Sequence, residues 1–333
     1  MSESRSIAWF DCGTTNTRLY LVEADGQFHF YGAKSVGSRN VALTGSCHIL
    51  AQAITQLFQD ALQNLSIRHE EAGRIRIYAS GMITSPFGLK VVPHLVAPVS
   101  VAALRAGIAE AYVEVLDRNI FLIPGVRTAA SDWRFSGNVR GEETEVFGAA
   151  AMLESRGQCS NGAYILPGSH TQILYLKNGK ITDILSLFTG ELFHALREET
   201  ILSGVLKSPP DSIEPVFIRK GCADAVEFGI NRSLYLCHSN QIFQRFTSAQ
   251  RYSYAEGVIL SGVYQALIQR LQRSWASCPQ IVMVCDELNW NIYGALLQND
   301  SLPHVLWLPP SAPGCFGVRG LCSIVGNEGV HYE

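Results

Sequence analysis

Three clusters in this sequence bring together side chains that can bind phosphate or move a proton. The first is Asp11-Cys-Gly-Thr-Thr-Asn-Thr-Arg18, where an acidic residue, a glycine and a run of hydroxyl and amide side chains follow an apolar stretch. Gly13 lets the backbone come close to a ligand, and the N–H and hydroxyl groups of Thr14, Thr15 and Asn16 can donate to phosphate oxygens. Asp11 is placed to hold a hydrated Mg²⁺ beside those phosphates. The same residue types build ordinary hairpin turns, which is the plainer account of this segment taken alone. The second cluster, Leu166-Pro-Gly-Ser-His-Thr171, repeats that chemistry with Gly168, Ser169, His170 and Thr171. Two such turns in matching positions can hold the two ends of a triphosphate.

The third cluster, Arg140-Gly-Glu-Glu-Thr-Glu145, puts carboxylates at the start of an apolar helix. Acidic residues there complement the helix dipole. Glu142 or Glu143 can also act as the general base that takes a proton from an attacking hydroxyl, with Arg140 nearby to help keep it ionised. Spacing does not choose between the two glutamates, and Asp11 and His170 are the next candidates for the base. Arg127 follows Pro124-Gly125 at the end of a buried strand, where its guanidinium can hold a carboxylate bidentately; a surface ion pair is the plainer alternative.

The elements that must position these clusters read as a repeated α/β pattern. Ile7 to Leu21 is a strand, a tight polar turn and a returning strand, and a third strand from Phe28 to Val36 follows the turn residues Asp25-Gly26. Apolar residues recur at helical spacing from Cys47 to Leu65. Arg74 to Ala79 reads as a strand, Ser100 caps a helix running to about Leu116, Asn119 to Ile123 is a buried strand, and Glu142 to Glu154 is a helix. The order βββαβαβα then starts again near Ala163, with a hairpin turn at Asn178-Gly179 and a long amphipathic helix from Tyr254 to Trp275. Ile281 to Cys285, Trp290 to Leu297, Val305 to Leu308 and roughly Cys315 to Val325 complete the second copy as β, α, β, α. Two α/β domains are expected, spanning 1–155 and 156–333, with a helical insertion at about 191–250 and a cleft faced by the two turns.

Composition excludes several classes of function. The chain of 333 residues is 47% hydrophobic and 17% charged, which is enough apolar content for a large core and against disorder. A formal net charge of -3 without a long basic run gives no electrostatic footprint for nucleic acid or an anionic membrane, so a small molecule is the expected partner. The nine cysteines are scattered, with no C-x-x-C pair and no zinc spacing, which fits reduced thiols. With no apolar signal region and no spanning run, a cytoplasmic location is the expectation, and the sequence leaves room for a homodimer.

Six segments in order, Asp11 to Arg18, Ser80-Gly-Met-Ile83, Pro124-Gly-Val-Arg-Thr128, Arg140-Gly-Glu-Glu-Thr144, Leu166 to Thr171 and Phe188-Thr-Gly-Glu-Leu-Phe193, resemble the 2-dehydro-3-deoxygalactonokinases. These are sugar-acid kinases of the actin, hexokinase and Hsp70 superfamily. The resemblance implies duplicated actin-like ATPase (ribonuclease H-like) domains, each with a mixed five-stranded sheet. It also implies transfer of the γ-phosphoryl group of ATP, with Mg²⁺, to the terminal hydroxyl of 2-dehydro-3-deoxy-D-galactonate or a related 2-keto-3-deoxy sugar acid. Asp11 to Thr15 and Pro167 to Thr171 would bind phosphates, while Thr189 and Glu191 would lie near the cleft with Ser85, Arg127 and Arg140 on the substrate side.

The sequence departs from the family in three places. Thr84-Ser-Pro-Phe-Gly-Leu89 stands where the family usually has Gly-Ser-Arg-Gln-Gly-Trp, Glu198-Glu-Thr200 replaces a common His-Ser pair, and Asp286-Glu-Leu-Asn-Trp290 replaces a glycine-containing nucleotide turn. They motivate an alternative expectation, a catalytically weakened relative that senses a sugar acid or a nucleotide.

Overall fold

A computed structural model describes residues 6–23 and 27–326 of the chain. The expected turn at Asp25-Gly26 lies outside the described residues. The first half opens with the strands β1 (Ile7–Cys12), β2 (Thr17–Val22) and β3 (Phe28–Lys34), then the helices α1 (Ser38–Thr44) and α2 (His48–Asn64). It continues through β4 (Arg76–Gly81), α3 (Val101–Ala106), β5 (Ala109–Val113), β6 (Arg118–Leu122) and α4 (Glu142–Ser155). The second half opens with β7 (Gly162–Leu166), β8 (His170–Lys177), β9 (Lys180–Phe188) and α5 (Gly190–Glu199). There follow α6 (Pro215–Phe228), α7 (Ile230–Ile242), α8 (Ser248–Gln272), β10 (Gln280–Val284), α9 (Glu287–Leu297), β11 (His304–Leu308) and α10 (Cys315–Val325).

Strand order makes the duplication explicit. The first sheet runs β3-β2-β1-β4-β6-β5, with β1 antiparallel to β2 and parallel to β4, and β4 parallel to β6. The second half repeats the order as β9-β8-β7-β10-β11, again with the last three strands parallel. This is the expected duplicated actin-like, ribonuclease H-like fold. Each sheet carries six strands rather than five: β5 borders the first, and the short strand Val99–Ser100 pairs with Ile181 and Lys180 of β9 in the second.

β5 corrects one expectation. Ser100 does cap a helix, its Oγ accepting from Ala103 N at 3.3 Å, but that helix stops at Gly107 instead of reaching Leu116. Beyond the glycine, Ala109-Glu-Ala-Tyr-Val113 pairs antiparallel with β6, so the offer of ladder hydrogen bonds overrides helical periodicity. A second boundary shifts for a local reason. Asp286 caps α9 through Oδ1, which accepts from Asn289 N at 2.8 Å, and starts that helix ahead of Trp290.

The contacts divide the chain into two compact units that are not contiguous halves. Unit 1 comprises the described residues of Met1–Ser160, Leu176–Leu185 and Pro310–Glu333, and unit 2 comprises Asn161–Tyr175 and Ser186–Pro309. In unit 1 the apolar face of α2, with Leu50, Ile54 and Phe58, packs on Ala8, Phe10 and Leu19. Each such large side chain contributes about 1.5–3 kcal/mol when fully buried. In unit 2 the helical segment from α5 to α8 has its own core, including Leu206, Ala225, Cys237 and Val258. No helix among the described residues is long and apolar enough to cross a membrane, and no disulfide joins the cysteines among the described residues.

α10 belongs to unit 1 because glycines let it lie directly on α4. A Cβ on Gly148 would stand 1.8 Å from Phe316 O, one on Gly320 1.8 Å from Thr144 O, and one on Gly317 2.2 Å from the Trp9 ring. Gly148→Ala and Gly320→Ala are expected to separate the helices and destabilise the protein by about 1–3 kcal/mol each, the usual cost of overpacking. Gly262→Ala, at an exposed site in α8 where a Cβ meets open space, should instead stabilise by about 0.5–1 kcal/mol. Urea unfolding of the three variants checks the opposite signs.

Candidate functional site

In unit 1 the site is built where β1 and β4 end. β1 and β4 run in parallel register, Asp11 beside Ser80 and Cys12 beside Gly81. Gly81 has φ 88°, and a side chain there would meet Cys12 O at 2.4 Å. Gly141, with φ 116°, precedes α4 and passes so close that its own Cβ would lie 3.5 Å from Gly81 Cα. Two residues without side chains therefore let the first turn of α4 come to the strand ends.

The first turn is tight and braced. Gly13 N donates to Asn16 O at 2.8 Å, and the carbonyls of Gly13 and Thr14 accept from Ser38 N and Arg39 N at the start of α1. A Cβ on Gly37 would collide with both carbonyls at 2.5 Å. Thr15 is exposed, Thr14 and Asn16 are half-buried, and Asn16 Nδ2 donates to Thr15 Oγ1. Asp11 faces Arg18 across the hairpin, with Arg18 Nη1 donating to Asp11 Oδ2 at 3.0 Å. Burial raises the Asp11 carboxyl above its ordinary value, and the Arg18 guanidinium opposes that rise.

The carboxylates of α4 separate into distinct roles. Glu143 is fully buried, and both its oxygens accept from Gly141 N, at 2.8 and 3.0 Å. It closes its own helix start, as the dipole account expects. Glu142 is half-buried, one oxygen accepting from Arg140 N at 3.2 Å. Burial pushes the Glu142 carboxyl up to about 7, with Asp11 adding to the rise. Glu145 lies on the same helix face three residues on; burial first, and then Asp11, Glu142 and Glu143, raise it to about 8.

Arg140 favours the ionised form of Glu142 and Glu143, as expected, but only against a larger opposing effect of burial. Its guanidinium is spent on Thr84 Oγ1 at 2.5 Å, Val92 O at 3.0 Å and His94 Nδ1 at 3.3 Å. Burial outweighs the Arg140 N–H bond at Glu142 and the Arg140 charge at Glu143. Ser85, expected at the substrate, is buried, and its Oγ accepts from Phe87 N in a local turn. Arg127 is exposed on the short strand Val126–Arg127, with no side-chain ion pair among the described residues.

In unit 2 the second turn has an open part and a closed part. Gly168 and Ser169 are exposed and His170 is half-buried, tilted against the Phe188 ring at 5.2 Å with its Nε2 4.0 Å from Glu191 Oε1. α5 begins hard against this turn: Glu191 N donates to Ser169 O at 2.9 Å, and a Cβ on Gly190 would lie 2.3 Å from Gly168 O. Thr171 and Thr189 are both buried. Their hydroxyls bond each other at 2.9 Å, and Thr171 also bonds the Tyr293 hydroxyl at 2.5 Å. They brace the turn from inside, so of the turn's expected contact residues Gly168, Ser169 and His170 are those open to solvent.

Sequence reasoning missed the pairing of Arg18 with Asp11, the approach of Glu145, and both His94 and Tyr293. Hairpin register signals the first and the i, i+3 spacing from Glu142 signals the second. His94 and Tyr293 reach their partners only through long-range folding and carry no local signal.

The chain is similar to known proteins over most of its length. A family described as 2-keto-3-deoxy-galactonokinase matches residues 11–308. The 2-dehydro-3-deoxygalactonokinase of Escherichia coli (strain K12) is 30% identical over 234 residues, covering 69% of this chain and 66% of that protein. A relative from Rhizobium meliloti (strain 1021), named as a 2-dehydro-3-deoxygalactonokinase candidate, is 29% identical over 205 residues, 61% of this chain and 60% of its own. The chain thus matches slightly under two thirds of the length of each of these curated relatives. A crystal structure of a candidate 2-dehydro-3-deoxygalactonokinase from Sinorhizobium meliloti shares the fold with TM-score 0.73 at 21% identity, over 96% of this chain and 97% of that one. With the family matched across both sheets and both turns, the chain belongs to the 2-keto-3-deoxy-galactonokinase family.

Proposed function

We propose that this protein is an ATP-dependent sugar-acid kinase that phosphorylates the terminal hydroxyl of 2-dehydro-3-deoxy-D-galactonate or a closely related 2-keto-3-deoxy acid. The observation that carries the reading is that Asp11 lies within electrostatic reach of Glu142 and Glu145 in unit 1, beside a glycine-hydroxyl turn. Family membership supplies the reaction class.

Each chemical requirement has a residue. Glu142 is the general base: it is half-buried, its carboxyl is pushed up to about 7, and one of its oxygens is already anchored on Arg140 N. A carboxylate near that value balances availability at neutral pH against basicity, which suits it to take the proton of a primary hydroxyl. As the proton moves to Glu142, the hydroxyl oxygen bonds to the γ-phosphorus and the bond to the β,γ-bridging oxygen breaks, leaving ADP. In unit 1 the turn at Gly13 to Asn16 offers phosphate donors, and in unit 2 the turn at Gly168 to His170 offers donors of the same kind.

Mg²⁺ is bound through one or two carboxylates, with water and phosphate completing its shell. Asp11 fits that donor set, a carboxylate whose buried charge Arg18 only partly offsets. When bound, the ion would neutralise charge on the transferring phosphoryl group. Arg127, exposed and without an ion pair among the described residues, is assigned to the substrate carboxylate.

Measuring ADP release against a panel of sugar acids tests the reading. Turnover with 2-dehydro-3-deoxy-D-galactonate is expected; binding of that acid or of ATP without turnover would identify a sensor instead. Glu142→Gln should lower kcat by about 10²–10⁴-fold with near-normal KM for ATP. The wild-type kcat should rise with pH through about 7 as Glu142 loses its proton. Arg127→Lys should raise the KM for the acid far more than that for ATP, because the fork geometry is lost while the charge stays.

Stability gives a further check that needs no substrate. Glu142, Glu143 and Glu145 have folded-state values of about 7 to about 8 against an ordinary 4.5, so the folded state holds protons that the unfolded chain releases. Their stabilising contribution is complete below 4.5 and is lost as pH rises through about 8. Urea unfolding without nucleotide should therefore show falling stability across that window, and Glu145→Gln should flatten the fall.

A further inference from the structure

Beside the carboxylate cluster of unit 1 lies a group with a different character: Arg140 and His94 meet over Gly125, with Arg127 in electrostatic reach of the histidine. A Cβ on Gly125 would fall 2.3 Å from Val139 O, 2.7 Å from Arg140 Cγ and 3.0 Å from His94 Cδ2, so only a glycine lets these side chains meet. Arg140 Nη2 stands 3.3 Å from His94 Nδ1. A guanidinium has donors and no acceptor, so Nδ1 must be the acceptor of that bond. The imidazole proton then sits on Nε2. His94 Nε2 is buried and has no hydrogen-bond partner.

A buried donor without an acceptor costs about 1–3 kcal/mol, and such a group persists where a ligand or function accounts for it. The surroundings select the ligand's charge. Burial, then Arg140 and Arg127, pull the His94 imidazole down to about 4, which keeps it neutral at physiological pH and places Arg127 within electrostatic reach. A neutral N–H donor in the field of Arg140 and Arg127 suits an anionic oxygen.

We infer that His94 is a substrate-binding residue whose Nε2–H donates to a carboxylate oxygen of the acceptor, in concert with Arg127 and positioned by Arg140. This deepens the kinase reading and rests on it. It also gives the segment that lacks the family's arginine and glutamine, Thr84 to Leu89, a replacement a few residues downstream. His94 sets ligand class: a carboxylate meets the donor and is favoured by the charges of Arg127 and Arg140, while an uncharged sugar meets only the donor.

The test combines imidazole ¹⁵N NMR with calorimetric titration of the full chain. The free protein should show His94 as the neutral Nε2–H tautomer, and 2-dehydro-3-deoxy-D-galactonate, but not D-galactose, should shift its resonances. His94→Phe should weaken binding of the acid by about 10-fold or more, the loss expected for a hydrogen bond to a charged group, with ATP affinity unchanged. His94→Gln keeps a donor and an acceptor and should recover most of that loss, which a merely space-filling role would not produce.

Unchanged affinity for the acid in His94→Phe, or an Nδ1–H tautomer in the free protein, overturns the inference while leaving the kinase reading intact. If the wild type neither binds nor phosphorylates the acid, the kinase substrate is wrong. D-gluconate and D-galacturonate titrated against the same resonances then decide whether His94 recognises a carboxylate, and silence to both overturns the inference as well.

Discussion

Bringing several carboxyl groups together out of water is the constraint around which unit 1 is arranged. Burying an ionised carboxylate costs several kcal/mol unless it is paired or hydrogen-bonded, and like charges nearby add to the cost. Asp11, Glu142, Glu143 and Glu145 meet this in three ways. Arg18 pairs with Asp11, the N–H groups of Arg140 and Gly141 bond Glu142 and Glu143, and the positive end of α4 faces the group. What remains uncompensated appears as carboxyls that hold their protons towards neutrality. The cost to the free protein is thus also what tunes a base, and a bound cation or a proton relieves it equally.

Rigid neighbours hold that balance in place. Arg140 acts as a strut, tying Thr84, Val92 and His94 to the start of α4 through one guanidinium. In unit 2 the buried hydroxyls of Thr171, Thr189 and Tyr293 do comparable work behind Gly168 and Ser169. In both units the outward groups that can touch a ligand are backed by side chains with satisfied hydrogen bonds. Donors held in this way need little reorganisation when charge develops.

The repeated strand order and the three clusters were legible in the sequence because local signals encode them: alternation, helical period and glycine-rich turns. The same signals misplaced Ala109 to Val113, whose helical look yields to pairing with β6, and gave no hint that α10 packs on α4. Within the clusters, residue type was legible but orientation was not. Thr171 and Ser169 are both hydroxyl-bearing turn residues, yet one points into the core and the other to solvent. Glu142 and Glu143 differ in the same way, by one step around a helix. Arg140 was read only as an electrostatic aid to a base because its side-chain partners, Thr84, Val92 and His94, lie more than forty residues away in the chain.

The docking of α10 on α4 also bears on how the protein is made. Phe316, Gly317 and Gly320 complete a surface laid down by Trp9, Thr144 and Gly148, so the first-synthesised sheet and helices wait for nearly the last helix. At about 5–20 residues per second on a ribosome, the chain between α4 and α10 takes roughly 10–30 s to emerge. Throughout that interval the glycine-lined face of α4 is open to water. During translation unit 2, whose residues lie between those two helices in the chain, has all its parts before unit 1 does. The order of folding is therefore expected to invert the order of the sequence.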